Sequence, residues 1–472
     1  MRNAKTEQKD MMTKTASGST GSHLRRARRA LLPLVCGLAC LGPATAADEL
    51  VAVQVGRVIT LAGDDIQRGT ILVRDGRIEA IGKDVEVPLD ATVVRFPEGV
   101  AMPGMIDCHS QAGLRVPNES MANVPFITVL DGVDPSAASL LSSVRDGITV
   151  VHVIPGNVTQ IGGQGAVLRT VGRTVEDLLI KSPSGLKVSF EPPRGSSRME
   201  NVAGLRRTFL DLHRYVLELA RAEEKPSPLE GKPAEKATLE SLYRARPAWE
   251  TVAWEKVAAD KIDPRRQPLV DLVRGELRAF LHCPSATDVF RAFELMDQNG
   301  LKATLVLGAD AYKLTGILKG REGLGPVILD PELVVWETDP DTGAERRHVT
   351  PRILHDAGIR FALQRDANVR FSPFSAEGEE HLWYQAAQLV RFGIPRDEAL
   401  AAITRLPAEI LGLEHRMGTL EPGKDGNITI LSGDPLDARS WVEVVLIEGK
   451  VSYERRKDAD LELLLKDPER AF

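Results

Sequence analysis

The sequence of 472 residues predicts an α/β fold, a (β/α)8 TIM-like barrel with a small β-sandwich domain formed by its N- and C-terminal segments. Short β-rich runs separated by Gly and Asp turns fill residues 50–100. From residue 135 helical and strand patterns alternate, which is typical of a parallel sheet. After residue 413 the short strands return. An open doubly wound sheet is the alternative architecture for the alternating part.

The first 47 residues predict an export signal, because arginines precede the apolar run 30–41 and small residues follow it at 44–46. The mature chain is then expected to start near Ala47 and to be periplasmic or extracellular. The apolar run is too short for a membrane span and is interrupted by Pro33. A lipid anchor at Cys40 is the alternative to a cleaved, soluble signal.

The change of pattern along the chain predicts five segments. They are a signal peptide at 1–47, the first part of the β-sandwich domain at 48–102, a barrel at 103–413 with a helical insertion near 221–268, the second part of the β-sandwich domain at 414–455, and a tail at 456–472.

The barrel segment shows repeated pairs of a helix and the strand that follows it. A helix begins at Ser285, where Asp288 completes a capping-box pattern, and closes at Gly300. Pro351 opens another helix. The predicted helices and strands are a helix at 135–145 before a strand at 148–154, the helix from Ser285 before a strand at 301–307, and the helix from 350 before a strand at 359–363.

The composition excludes some classes of partner. A net charge of −6 with interspersed acidic and basic residues argues against a nucleic-acid surface and favours a small-molecule substrate. A homo-oligomer is left open. Cys108 and Cys283 each adjoin a histidine, but strand alternation points them away from it, so we expect small buried hydrophobes rather than soft metal ligands.

Three chemistry-bearing residues follow predicted strands at their carboxyl ends. They are His109, His282 and Asp366. Active sites of (β/α)8 barrels are built at this end of the strands. Two imidazoles and a carboxylate suit a catalytic divalent metal, which keeps one coordination position open for water. The three residues therefore predict a metal-dependent active site.

Several motifs in a fixed order give the chain a wider resemblance. Residues 71–82 read ILVRDGRIEAIG, 102–111 read MPGMIDCHSQ, 407–412 read PAEILG and 418–427 read GTLEPGKDGN. Together they resemble the amidohydrolase superfamily, and residues 162–165 with the helix after His282 look most like its exported imidazolonepropionase-like or prolidase-like members. The resemblance covers nearly the whole mature chain.

The resemblance implies a divalent metal, with zinc as the first choice. In the family the ligands are a His-x-His pair, histidines after strands five and six, an Asp after strand eight, and a lysine or carboxylated lysine in binuclear members. On that pattern His109, His282 and Asp366 fall on ligand positions, and Asp366 is also the general base. Gln111 replaces the second histidine and is left open as a fourth ligand, because its neutral carbonyl oxygen is a poor ligand for zinc but a tolerable one for a harder ion.

The position after strand six also departs from the family. Residues 308–311 read GADA and contain no histidine, and Asp310 either replaces it or caps the next turn. His152 either packs in the core or substitutes for a missing imidazole. The bridging lysine is either Lys187 or Lys181.

Two functions follow from these departures. The first is a metal-dependent hydrolase of non-peptide carbon–nitrogen bonds, amide or cyclic amide, with a degenerate metal site. The alternative is a catalytically inactive relative that acts as a binding or scaffold module, which Gln111 and the missing strand-six histidine favour.

Overall fold

The computed structural model describes residues 49–222, 249, 252–365, 381–459 and 461–462. The predicted signal segment and Asp366 lie outside these ranges, as do residues 223–248 of the predicted insertion. Domain boundaries at those places stay predictions.

The described residues form twenty β-strands. In chain order they are β1 Leu50–Val58, β2 Ile66–Gln67, β3 Thr70–Arg74, β4 Arg77–Gly82, β5 Thr92–Pro103, β6 Met105–Ser110, β7 Ile148–Val153, β8 Ile161–Gln164, β9 Ala166–Arg169, β10 Leu179–Lys181, β11 Leu186–Ser189, β12 Ala279–Cys283, β13 Ala303–Leu307, β14 Val327–Leu329, β15 Val334–Thr338, β16 Glu345–Val349, β17 Phe361–Leu363, β18 Ile428–Leu431, β19 Val442–Ile447 and β20 Lys450–Glu454.

Ten α-helices lie between these strands in the described part of the chain. They are α1 Ala138–Arg145, α2 Val175–Leu178, α3 Arg198–Ala222, α4 Gln267–Val273, α5 Ala286–Asn299, α6 Thr315–Lys319, α7 Thr350–Asp356, α8 Leu382–Arg391, α9 Arg396–Ala401 and α10 Arg405–Leu411. The predicted start of α5 is confirmed, since Ser285 and Asp288 form a capping box. Its predicted end is confirmed as well, because Gly300 adopts a left-handed conformation with φ 64°.

The two ends of the described chain meet in one eight-stranded sheet. Its order is β20-β19-β18-β5-β1-β3-β4, with β2 paired to β1. The link between the two chain ends is the antiparallel pair of β18 and β5, in which Ile428 lies opposite Pro103. The N- and C-terminal segments therefore share a sheet, while its form as a two-layered sandwich stays a prediction.

The alternating part of the chain forms two further sheets. One has the order β10-β9-β7-β6 and the other the order β17-β14-β13-β12-β11-β8. The pairs β6–β7, β11–β12, β12–β13, β13–β14 and β14–β17 are all parallel. Among the described strands no ladder joins β17 to β6, so closure of the predicted eight-stranded barrel stays a prediction.

Alternate side chains of these parallel strands point to two different cores. One core contains inward residues from six strands, namely Ile106, Val150, Phe280, Val306, Ile328 and Ala362. The other contains the intervening residues, such as Leu281 and Leu305, packed with Val289 of α5 and Leu354 of α7. Strands buried on both faces are typical of α/β folds with parallel sheets. The arrangement leaves the carboxyl ends of the inward-facing strands as the place for a site.

Candidate active site

Polar side chains replace apolar ones at the carboxyl ends of the inward-facing strands. His109 is the last but one residue of β6, Lys187 lies in β11 and His282 in β12, and all three are buried. In the parallel register Lys187 lies opposite Phe280 and Ser189 opposite His282. Lys187 therefore lies on the inward face at the level of Phe280, two residues before the level of His282.

A bulge in β6 brings His109 to this face. Asp107 and Ser110 pair with Val151 and Val153, so β6 has one extra residue between the two pairs. Cys108 lies in the inner core by ordinary strand alternation with Ile106, two residues before it, and its Sγ lies 3.6 Å from the carbonyl oxygen of Leu363. The expectation that both cysteines point outward is wrong for Cys108. Cys283 packs in the outer core, as predicted.

Lys187 and His109 are joined directly. The Nζ atom of Lys187 lies 2.8 Å from Nε2 of His109 and also donates to Oδ1 of Asn157 in the loop after β7. The side chain of Gln364, after β17, hydrogen-bonds the same imidazole. Of the two lysines left open by the sequence, Lys187 is the one at the site. The Nζ atom of Lys181 instead donates to the carbonyl oxygen of Leu411, at 2.8 Å.

Burial weakens the basicity of both groups. It lowers the pKa of Lys187 to about 7, although the charge of Glu191 acts in the opposite direction. It also brings the pKa of His109 well below its ordinary value, and the positive charge of Lys187 adds to this effect. Near neutral pH the site therefore holds a neutral imidazole beside an amine that is close to its titration midpoint.

A second contact pair lies beside the first. The Nε2 atom of His282 lies 3.2 Å from Oε2 of Glu191, two residues beyond β11. The other ring nitrogen, Nδ1, is buried and has no hydrogen-bond partner among the described residues. Burial lowers the pKa of His282, while the hydrogen bond to Glu191 raises it. The same hydrogen bond lowers the pKa of Glu191. The pair thus holds an imidazole by one nitrogen and leaves the other as a proton acceptor.

His152 packs in the core, one of the two interpretations that the sequence left open. Its Nδ1 lies 2.9 Å from the carbonyl oxygen of Cys108, and its Nε2 lies 2.8 Å from Oγ of Ser184. The ring lies 4.6 Å from the ring of Phe280, between centroids. Burial lowers the pKa of His152 to about 4. Because both ring nitrogens are engaged, His152 does not replace a missing ligand.

A buried ion pair connects β6 with the residues that follow β17. The Nε atom of Arg365 lies 3.2 Å from Oδ2 of Asp107, and its guanidinium also donates to Oγ of Ser143. Burial raises the pKa of Asp107, and the charge of Arg365 only partly offsets this. Asp107 precedes His109 by two residues, and Arg365 immediately precedes Asp366. The pair therefore joins β6, which carries His109, to the residues that follow β17.

The other predicted site residues are placed as follows. Gln111 is partly buried, and its side chain makes no hydrogen bond with any described residue, while its carbonyl oxygen accepts from the backbone N–H of Leu114 at 3.0 Å. Asp310 caps a helix, since its Oδ1 accepts from the backbone N–H of Ala286 at 2.9 Å, at the start of α5. Asp366 lies outside the described residues.

Sequence reasoning missed three contributors, namely Asn157, Glu191 and Gln364. Glu191 continues the inward alternation of Lys187 and Ser189, and this spacing was a signal that could have identified it. Asn157 gave no such signal, because it lies in a loop whose path depends on the tertiary structure. Within the described ranges, no three His, Cys, Asp or Glu side chains come together as a metal-binding group.

Comparison with known proteins gives relatives over most of the chain. A model of the amidohydrolase family matches residues 327–453. The chain is 25% identical over 432 residues to amidohydrolase tasK of Hapsidospora irregularis, covering 86% of this chain but only 41% of that protein. It is 26% identical over 413 residues to the imidazolonepropionase of Maricaulis maris strain MCS10, covering 83% of this chain and 95% of that protein.

A solved structure extends the likeness to the fold. The amidohydrolase from Thermotoga maritima MSB8 superimposes with a TM-score of 0.69 and 26% sequence identity. The match covers 86% of this chain and 100% of that one. A likeness of this extent indicates a TIM-barrel-like α/β fold for the chain.

Proposed function

Because the chain belongs to the amidohydrolase superfamily, we propose that it is a hydrolase of carbon–nitrogen bonds other than peptide bonds, acting on a small amide or cyclic amide. The observation that carries this proposal is the match to the whole Thermotoga maritima amidohydrolase, together with a cluster of buried polar residues at the inward strand ends. Active sites of TIM-barrel enzymes lie at those ends.

The roles of the residues follow from their contacts. Asp366, which lies outside the described residues, is the proposed general base, as the family pattern implies. In the described part of the chain, Nδ1 of His282 is a buried acceptor without a partner, and Glu191 fixes the opposite nitrogen. Lys187 contributes an N–H donor where the carbonyl oxygen of a bound amide gains negative charge.

A divalent metal, zinc first, is the cofactor that family membership implies. The described donors do not fit it, because Nε2 of His109 already lies 2.8 Å from the amine of Lys187. Gln111 stands at the second histidine position, and Asp310 is engaged by the N-terminus of α5. No step of the proposed hydrolysis is therefore assigned to a metal.

We also propose that the protein is exported to the periplasm or outside the cell, on the basis of the N-terminal arginines and the short apolar run that follows them. Among the described helices none is both long and apolar enough to cross a membrane.

The proposed activity is tested with purified protein and a panel of N-acyl amino acids, lactams and imidazolones. Mass spectrometry would follow the addition of one water to each cyclic amide, and the release of a carboxylic acid and an amine from each N-acyl amino acid. We expect hydrolysis of at least one class. We also expect His282→Ala to reduce it by about 100-fold or more, because Nδ1 of His282 would accept a proton alongside the proposed base Asp366, and general acid–base groups typically contribute about 10²–10⁴-fold. Exposed His415→Ala is the matched control and should hydrolyse like the parent.

Hydrolysis that survives unchanged in His282→Ala would contradict the assigned site. No hydrolysis of any class, in a protein that is folded by circular dichroism, would favour the second candidate function.

The second candidate is a non-catalytic binding or scaffold module. Two observations favour it. Gln111 stands where the family has the second histidine of its pair, and Asp310, after strand six, caps α5 and so does not replace the histidine expected there. A ligand of such a module should raise the melting temperature of the protein without being converted. The same panel, scanned by differential scanning fluorimetry, separates this outcome from catalysis.

A further inference from the structure

The contact between Lys187 and His109 engages Nε2, one of the two ring nitrogens through which a histidine can bind a metal. A histidine ligand needs a free lone pair on one ring nitrogen. The Nε2 atom of His109 has the Nζ of Lys187 at 2.8 Å, and lysine is a hydrogen-bond donor. The Gln364 side chain hydrogen-bonds the same ring and raises its pKa. The contact with Lys187 would have to change before Nε2 of His109 could coordinate an ion.

The amine of Lys187 is held in this position. Its side chain is fully buried, and the same Nζ donates to Oδ1 of Asn157. Asn157 is held in turn, because its carbonyl oxygen accepts from Oγ of Ser189, the next inward residue of β11. Lys187 and Ser189 both lie in β11, and the parallel pairing of β11 with β12 fixes the position of that strand. Moving Lys187 away would therefore leave the side chain of Asn157 without its donor.

Among the described residues, the remaining donors do not complete a metal site. Nε2 of His282 is bonded to Glu191, so that only Nδ1 of this ring is open to a ligand, and the Asp310 carboxylate accepts from the N-terminus of α5. Gln111 offers a neutral oxygen where a second imidazole would assist His109. A catalytic zinc needs about three protein ligands.

From these contacts we infer that the amine of Lys187 takes the place at His109 that a divalent metal holds in other family members, and that the pocket has no resident metal. The inference rests on the proposed function for the location of the pocket and concerns the same site. Any hydrolysis by this chain then proceeds without a bound divalent ion.

The test measures metal content in the purified full chain. The protein is incubated with excess Zn²⁺, Co²⁺ or Mn²⁺, desalted, and analysed by inductively coupled plasma mass spectrometry. We expect far less than one equivalent of any of the three. The double variant Lys187→Met with Gln111→His removes the amine, keeps an unbranched side chain and supplies the missing imidazole. We expect it to retain about one equivalent of zinc, through three protein ligands that include His282.

Lys181→Met in the Gln111→His background is the matched control, because Lys181 is a lysine of a neighbouring strand whose Nζ contacts a backbone oxygen instead of His109. It should hold as little metal as the parent. One equivalent or more in the parent, lost in His109→Ala, would overturn the inference. A folded Lys187→Met/Gln111→His protein that still holds no zinc would also overturn it, because the amine would then not be what excludes the metal.

These outcomes are independent of the activity assay. A parent protein without metal that hydrolyses no compound contradicts the proposed function and leaves the inference standing. A parent protein that contains metal and loses hydrolysis in the presence of a chelator contradicts the inference and leaves the proposed function standing.

Discussion

His152 and His282 are both buried at inward strand positions, but they differ in the partners of their ring nitrogens. His152 has a partner at each nitrogen, the carbonyl oxygen of Cys108 and the hydroxyl of Ser184. His282 is bonded only to Glu191, and its Nδ1 has no partner within the described ranges. Buried polar atoms are nearly always hydrogen-bonded, so an unpartnered one needs an explanation. His152 fits a structural role, and His282 fits a role in contacting a ligand.

The same contrast separates two layers of polar residues. The supporting layer, which we define as Asp107, Ser143, His152 and Arg365, is complete in its hydrogen bonds. The pocket layer, defined as His109, Lys187, Glu191 and His282, has an unpartnered nitrogen and an amine whose pKa is lowered to about 7. We expect substitutions in the supporting layer to affect stability most, and those in the pocket layer to affect function most.

The largest effect is expected for Arg365→Ala. It leaves the carboxylate of Asp107 buried without its charged partner, and breaking a buried pair in this way typically destabilises by about 3–5 kcal/mol. Urea denaturation of the parent and the variant measures the change in the free energy of unfolding.

Arg360→Ala is the control for this prediction. Arg360 pairs with Glu409 at 2.8 Å, but the arginine is exposed and the glutamate partly exposed, so we expect a loss of under about 1 kcal/mol. A loss that is equally small in Arg365→Ala would contradict the structural role of the Asp107–Arg365 pair.

A smaller effect, which depends on pH, is expected for His152→Gln. Burial lowers the pKa of His152 from 6.5 to about 4, so the unfolded chain binds a proton between these values while the folded chain does not. The stability that His152 contributes is therefore present above about pH 6.5 and is lost as the pH falls towards 4, by about 3 kcal/mol in total.

The measurement is the free energy of unfolding at about pH 7 and about pH 4.5 for the parent and the variant. We expect the difference between the two pH values to shrink by roughly 2–3 kcal/mol in His152→Gln. Exposed His415→Gln should keep the parent's pH dependence. An unchanged difference in the His152 variant would show that the ring titrates normally in the folded state.

The contrast between the layers also shows what the sequence could predict. The helix from Ser285 to Gly300 is determined by local signals, a capping box and a left-handed glycine, and its ends agree with the structure. The positions of His109 and His282 followed from strand ends and agree as well. Signals that depend on neighbouring residues in the chain were therefore sufficient for these elements.

The contacts of the site depended on the register between strands. The bulge in β6 brings His109 to the pocket although Cys108 before it already points to the inner core, and no spacing in the sequence indicates an extra residue in one strand of a pair. The choice between Lys187 and Lys181 likewise required the pairing of β11 with β12. Asp310 caps neither of the places the sequence suggested: its carboxylate accepts from the start of α5, a helix that precedes it in the chain, because α5 lies beside the end of β13.

The smallest change in stability is expected for His282→Leu, in the pocket layer. The substitution removes a buried nitrogen without a partner, whose burial is unfavourable by about 1–3 kcal/mol, and this gain offsets the loss of the bond to Glu191. Glu191 is partly exposed and can be solvated by water after the change. We expect a net change within about 1 kcal/mol in either direction, measured by urea denaturation at neutral pH.

His152→Leu is the matched comparison, because it makes the same substitution in the supporting layer. It leaves the hydroxyl of Ser184 without its partner. That variant should lose about 2 kcal/mol or more, since a buried group left unsatisfied costs about 1–3 kcal/mol in addition to the changed packing. Equal losses in the two variants would mean that His282 has a structural partner after all, and the division into two layers would fail.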